Sequence, residues 1–93
     1  MTMTITVSRP SQDELQARGV DQWPIWSHEA ASFPWHYDDR ETCYILEGRV
    51  TVTPQEGPAV DFGAGDLAVF PAGLSCTWTI HEAVRKHYRF GDG

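Results

Sequence analysis

Positive charge is scarce in this chain of 93 residues. Seven Lys and Arg stand against thirteen Asp and Glu, for a formal net charge of −6. Nucleic acid and anionic membrane both reward clustered positive surface, so neither is expected as a partner. Long apolar runs are missing as well: none approaches the ~18 residues of a transmembrane helix. The opening MTMTITVSRP has neither a basic region nor an apolar core and does not read as a signal peptide. A cytoplasmic location is therefore expected. Cysteine is limited to Cys43 and Cys76, which in that compartment are expected to be reduced thiols rather than a disulfide.

What is present points to a folded domain. The chain is 41% apolar and 12% aromatic, too rich in core-forming residues for a disordered acidic tail. Its length suits one domain over 1–93. A chain this short buries only about 60–65% of its unfolded surface, a thin margin that oligomerisation would widen.

Helical patterning is confined to SQDELQARG, Ser11 to Gly19, where Ser11 is placed to cap, Glu14 to complete a capping box and Gly19 to stop the helix. Elsewhere Pro or Gly interrupts every few residues, which leaves no room for a long helix. Between the breaks lie short runs of strand formers. Strands are expected near Thr4–Val7, Trp23–Ser27, Ser32–Tyr37, Thr42–Glu47, Arg49–Pro54, Ala59–Phe62, Leu67–Phe70, Ser75–Thr79 and Val84–Phe90. Many short strands at this spacing predict an all-β sandwich or closed barrel, and closure also removes exposed sheet edges. The expected layout is an N-terminal arm over 1–22 and a barrel over 23–90.

Alternation assigns faces. In ETCYIL, Glu41, Cys43 and Ile45 share one face and Thr42, Tyr44 and Leu46 the other, both largely apolar. A strand apolar on both sides is covered on both sides, so a homodimer is expected to supply the second cover. In VRKHYRF, Val84, Lys86, Tyr88 and Phe90 share a face that reads as inward. Lys86 then points into the barrel, where it is placed to bind an anion, pair with Glu41 or perturb Cys76, or it snorkels to the mouth.

Two segments resemble the cupin superfamily of small β-barrels. His36, Glu41 and Gly48 are spaced as in the second half of cupin motif one, which reads Gly…His-x-His…Glu…Gly. In GDLAVFPAGLSC, Gly65, Pro71 and Gly73 fall where motif two has its glycine and its Pro-x-Gly. The wording from CYILEGRVTVTP to FGAGDLAVFPAGLSCTW is similar to one branch, the small single-domain cupins related to the ureidoglycine aminohydrolase and ethanolamine-utilisation cupins. The resemblance spans roughly Trp23 to Phe90 and implies a small cupin (jelly-roll) barrel. It also implies a place for a divalent metal such as Zn, Mn, Fe or Ni. Carried over position by position, the family's first histidine falls on Pro34, which cannot ligate. The second falls on His36, the glutamate on Glu41 and the motif-two histidine on Cys76. Histidine, carboxylate and thiolate form an acceptable donor set, although His36 and Glu41 converge only if Asp38–Arg40 makes a turn.

The candidate pocket lining is therefore His36, Glu41, Cys43, Cys76, Trp78 and Lys86, with His36, Glu41 and Cys76 as the candidate metal set. Trp78, two residues beyond Cys76, shares its face and is expected to form a pocket wall. Trp35 and Tyr37 are expected on the face opposite His36. Three functional readings stay open: a cupin binding a small polar metabolite, a metal-dependent enzyme acting on a small nitrogen-containing or sugar-like substrate, and a structural or regulatory dimer with a packed barrel.

Overall fold

The computed structural model describes residues 4–91. The short helix forms as its sequence dictates. Ser11 Oγ accepts from the Glu14 backbone N–H, and the Glu14 carboxylate accepts from the Ser11 N–H. Gly19, at φ 69°, closes helix α1 (Gln12–Arg18). A 3-10 turn follows over Val20–Gln22, burying Val20 together with Leu15 of the helix.

The rest is antiparallel β-structure. Strand β1 is Thr6–Ser8, β2 Ile25–His28, β3 Ala31–His36, β4 Glu41–Pro54, β5 Val60–Gly63, β6 Leu67–Phe70 and β7 Ser75–Phe90. The sheet order is β1-β6-β4-β7-β2, with β3 also paired to β7 and β5 to β4. The all-β barrel implied by the resemblance is thus the architecture. The segment before Trp23 also contributes to it, because β1 pairs with β6.

Seven strands stand where nine are expected. Thr42–Glu47 and Arg49–Pro54 are one strand, β4, and Ser75–Thr79 and Val84–Phe90 are one strand, β7. Gly48 is not a hairpin corner. At φ 103° it sits in a bulged stretch where the β4–β7 register shifts between Ile45 and Val50. The backbones approach so closely there that a Cβ on Gly48 would lie 2.8 Å from the Glu82 carbonyl oxygen. The bulge also explains parity: Ile45 and Val50, five apart, both point inward, which a regular strand forbids.

The two long strands are the frame. One half of β7 pairs with β2 and the other with β3, while β4 takes β6 on one half and β5 on the other. Each long strand therefore bends from one layer into the other. Inside, Val50, Val52, Phe62, Phe70, Trp78 and Ile80 are buried in one cluster. Tyr37 stacks on Phe70 with ring centroids 5.1 Å apart, and Phe62 and Trp78 meet edge to face at 5.7 Å. On the outer face of β4, Thr42 is buried, while Tyr44 and Leu46 are half-buried.

Candidate functional site: an aromatic pocket over a buried ion pair

Two residues of the candidate pocket lining, Glu41 and Lys86, meet at one end of the barrel. Ile45 of β4 lies opposite Lys86 of β7, and Cys43 lies opposite Tyr88. This register brings the Lys86 ammonium Nζ to 2.7 Å from Glu41 Oε2. Both side chains are buried, at 6% and 3% exposure. Charges so far from water are tolerable only when paired and hydrogen-bonded, and the pairing is extended. Tyr37 Oη donates to Glu41 Oε1 at 2.7 Å, and Trp78 Nε1 donates to Tyr37 Oη at 3.1 Å. Among the described residues no buried side-chain polar atom lacks a partner. Burial, followed by the charge of Glu41, holds the Tyr37 hydroxyl well above its ordinary pKa, so it stays protonated and donates. The ammonium lies 4.5 Å from the Trp78 ring centroid and 5.0 Å from that of Trp26, within cation–π range.

A pocket of about 200 Å³ opens over this pair. Glu41, Lys86, Tyr37 and Trp78 line its inner part, and Trp26, Phe33, Trp35, Tyr88 and Phe90 complete the wall. Trp35 and Phe90 stand at 47% exposure. The aromatics come from alternate positions of three strands. Phe33 and Trp35 of β3, with Tyr37 just beyond it, form one stripe, and Tyr88 and Phe90 of β7 form another.

Glu41, Trp78 and Lys86 therefore gather as expected, and Lys86 pairs with Glu41. His36 does not join them. The chain bends at Asp38–Asp39, but the bend delivers Tyr37, not His36, to Glu41. His36 points outward at 56% side-chain exposure, with Nδ1 2.7 Å from Ser75 Oγ and Nε2 3.8 Å from Asp38. Cys43 and Cys76 are both free and buried, and neither lines the pocket. Cys76 Sγ donates to the Trp35 carbonyl oxygen at 3.6 Å. Burial, reinforced by the Glu41 charge, pushes its thiol up to about 11. Burial pushes Cys43 up to about 12 against the pull of Lys86. A nucleophile must be a thiolate, and both sites favour the thiol.

The donor set expected for a divalent metal consequently does not fit. Pro34 offers no donor, His36 faces solvent, and Glu41 is engaged by an ammonium and a phenol. Among the described residues no three His, Cys, Asp or Glu side chains cluster to hold an ion. The other histidines are satisfied locally: His28 Nδ1 at the Glu29 carbonyl, His81 Nε2 at Thr51 Oγ1 and His87 Nδ1 at the Trp23 carbonyl. Sequence reasoning missed most of the wall. The signal for it was the spacing Phe33, Trp35, Tyr37, a period-two aromatic stripe that faces inward once His36 is turned out.

Among the described residues no helix is long and apolar enough to cross a membrane. The family model described as the EutQ-like cupin domain matches residues 15–88. A DUF861 family protein of Thermotoga maritima is 45% identical, with a TM-score of 0.92 over 94% of this chain and 99% of that one. The ethanolamine utilization protein Q of Salmonella typhimurium is 28% identical, with a TM-score of 0.66 over 72% of this chain and 54% of that one. The EutQ protein of Clostridium difficile, at 19% identity and a TM-score of 0.66, shares the fold over 72% of this chain and 52% of its own. This chain spans about half the length of those two EutQ proteins. No curated protein matches it. The match over 15–88 and the likeness to the Thermotoga protein together make this chain a member of the EutQ-like cupin family.

Proposed function

We propose that this cupin domain binds a small polar metabolite in the aromatic pocket, with the Lys86–Glu41 pair as its polar anchor. One observation carries the reading: an ion pair buried at 2.7 Å forms part of the lining of an otherwise aromatic cavity. An apolar concavity with a few convergent polar groups is the usual form of a small-molecule site. At about 200 Å³ the cavity is smaller than the ~300 Å³ and above typical of drug-sized ligands, which favours a compact metabolite. A metal-dependent reaction draws no support from the donors present, and the open pocket disfavours a merely packed barrel. The binding reading extends to a cytoplasmic protein acting as a homodimer. The half-buried Tyr44 and Leu46 on the outside of β4 support the second copy.

The test is a thermal-shift screen of small metabolites, with and without a chelator, followed by calorimetry. Saturable binding of at least one compound, unchanged by the chelator, is expected. Binding that appears only after a divalent metal is added would overturn the reading. Sedimentation as a monomer at low micromolar concentration would remove the dimer.

A further inference from the structure

The polar anchor of the pocket is electrically balanced, and this bears on what it holds. Lys86 Nζ makes one hydrogen bond among the described residues, to Glu41 Oε2. An ammonium has three N–H groups, so two donors remain. Glu41 accepts one bond on each oxygen, from Tyr37 and from Lys86, and each oxygen keeps accepting capacity. A free donor and a free acceptor therefore stand side by side on groups 2.7 Å apart. A ligand carrying net charge gains little here. An anion meets the Glu41 carboxylate as it approaches Lys86, a cation meets the reverse, and either must give up its hydration to enter an aromatic cavity. A neutral group with an acceptor next to a donor satisfies both partners at once. The surrounding wall consists of ring faces and edges, among them Trp26, Phe33, Trp35 and Trp78, which stack best on a flat body.

From this geometry we infer that the pocket's ligand class is a compact, planar, uncharged ring whose edge carries a carbonyl beside an N–H, as in a lactam, read by Lys86 as donor and Glu41 as acceptor. The inference rests on the binding reading above and narrows it: the built-in ammonium is the only cation the site requires.

The experiment uses four probes of similar size on the full chain: 2-pyridone as the lactam, benzoate as the anion, benzamidinium as the cation and toluene as the apolar control. Affinities come from calorimetry, and shift changes at the Trp26 and Trp78 indole N–H groups locate each probe. 2-Pyridone is expected to bind at least tenfold more tightly than benzoate, benzamidinium or toluene. In the double variant E41L/K86M, which removes both charges together so that neither is stranded, that advantage over toluene disappears. In E41Q/K86Q, which keeps an acceptor and a donor without charge, it persists. Tighter binding of benzoate or benzamidinium, retention of the lactam preference in E41L/K86M, or its loss in E41Q/K86Q overturns the ligand class and leaves the pocket standing as a binding site. If no probe, toluene included, shifts either indole, the pocket reading falls and the ligand class with it.

Discussion

The β4–β7 ladder has two ends built from the same two strands, and they are filled in opposite ways. Beyond the bulge, Val50 lies opposite Ile80 and Val52 opposite Trp78, and all four are buried against Phe62 and Phe70. Before it, the inward positions include Glu41 and Lys86 beside Cys43, Ile45, Val84 and Tyr88, and the space above them opens to solvent through exposed aromatics. The apolar end obeys the ordinary rule that burial removes hydrocarbon from water, at roughly 25 cal/mol per Å². The polar end breaks that rule and recovers the loss only through a complete chain of hydrogen bonds from Trp78 through Tyr37 to Glu41 and from Lys86 back to it. One end therefore holds the barrel together, and the other is tolerated because its partners match. A buried ion pair is weak evidence for stability.

The largest expected effect comes from breaking the polar end on one side only. Lys86→Met or Glu41→Leu strands its partner's charge in the cavity and should lower stability by about 3–5 kcal/mol. The double variant should recover most of that loss, with about 1–3 kcal/mol left for the Tyr37 hydroxyl that no longer has its acceptor. Urea midpoints of the three variants measure this, and additive losses in the double variant would show that the pair does not act as a unit.

Next comes the hinge between the ends. Gly48→Ala places a Cβ 2.8 Å from the Glu82 carbonyl oxygen at φ 103°. Strain and overlap together should cost about 3 kcal/mol or more in thermal unfolding. A neutral outcome would mean that the bulge relaxes and that the two ends are not held in fixed register.

The apolar end should respond as a core does. Val52→Ala is expected to cost about 2–3 kcal/mol, because the residue is fully buried. Trp35→Ala, at the mouth of the pocket and 47% exposed, should change stability by no more than about 0.5 kcal/mol while weakening any pocket ligand. If the two losses are equal, the mouth is structural rather than functional.

The pH response separates the ends most gently. Cys43 belongs to the polar end, and its folded pKa, about 12, stands above the ordinary thiol value of 9.0. A group whose pKa is raised on folding contributes its full stability below the unfolded value and loses it as pH climbs toward the folded one. Stability should therefore decline from about pH 9 upward, and Cys43→Ala should flatten that decline at the expense of a small cavity. Unfolding midpoints measured from pH 8 to 11 check the sign. A decline of the same steepness in the variant would assign the alkaline loss to Cys76 and Tyr37, whose pKa values are also raised.

Much of the fold was readable in the chain itself. The capping box at Ser11 and Glu14, the Gly19 stop, strand β6 at Leu67–Phe70 and the inward face of Val84, Lys86 and Tyr88 all follow from local rules, because caps, turns and alternation act within a few residues. Merging two expected strands into β4 and two into β7 could not be read locally. Gly48 is chemically as suited to a hairpin corner as to a bulge, and only the approach of the Glu82–Val84 backbone chooses. The site divides in the same way. That Lys86 is an inward residue follows from sequence period, and the family resemblance pointed to Glu41 and the segment around it. That Lys86 meets Glu41 and that Cys76 turns to the Trp35 carbonyl were decided by register between strands far apart in sequence. The sequence by itself determined an all-β fold with a lysine on an inward face, and its family resemblance added the barrel and Glu41. The tertiary structure alone decided that Glu41 forms an ion pair with Lys86 within an aromatic pocket instead of sharing a metal with His36, because the β4–β7 register sets Lys86 against it while His36, five residues away, stays on the opposite face.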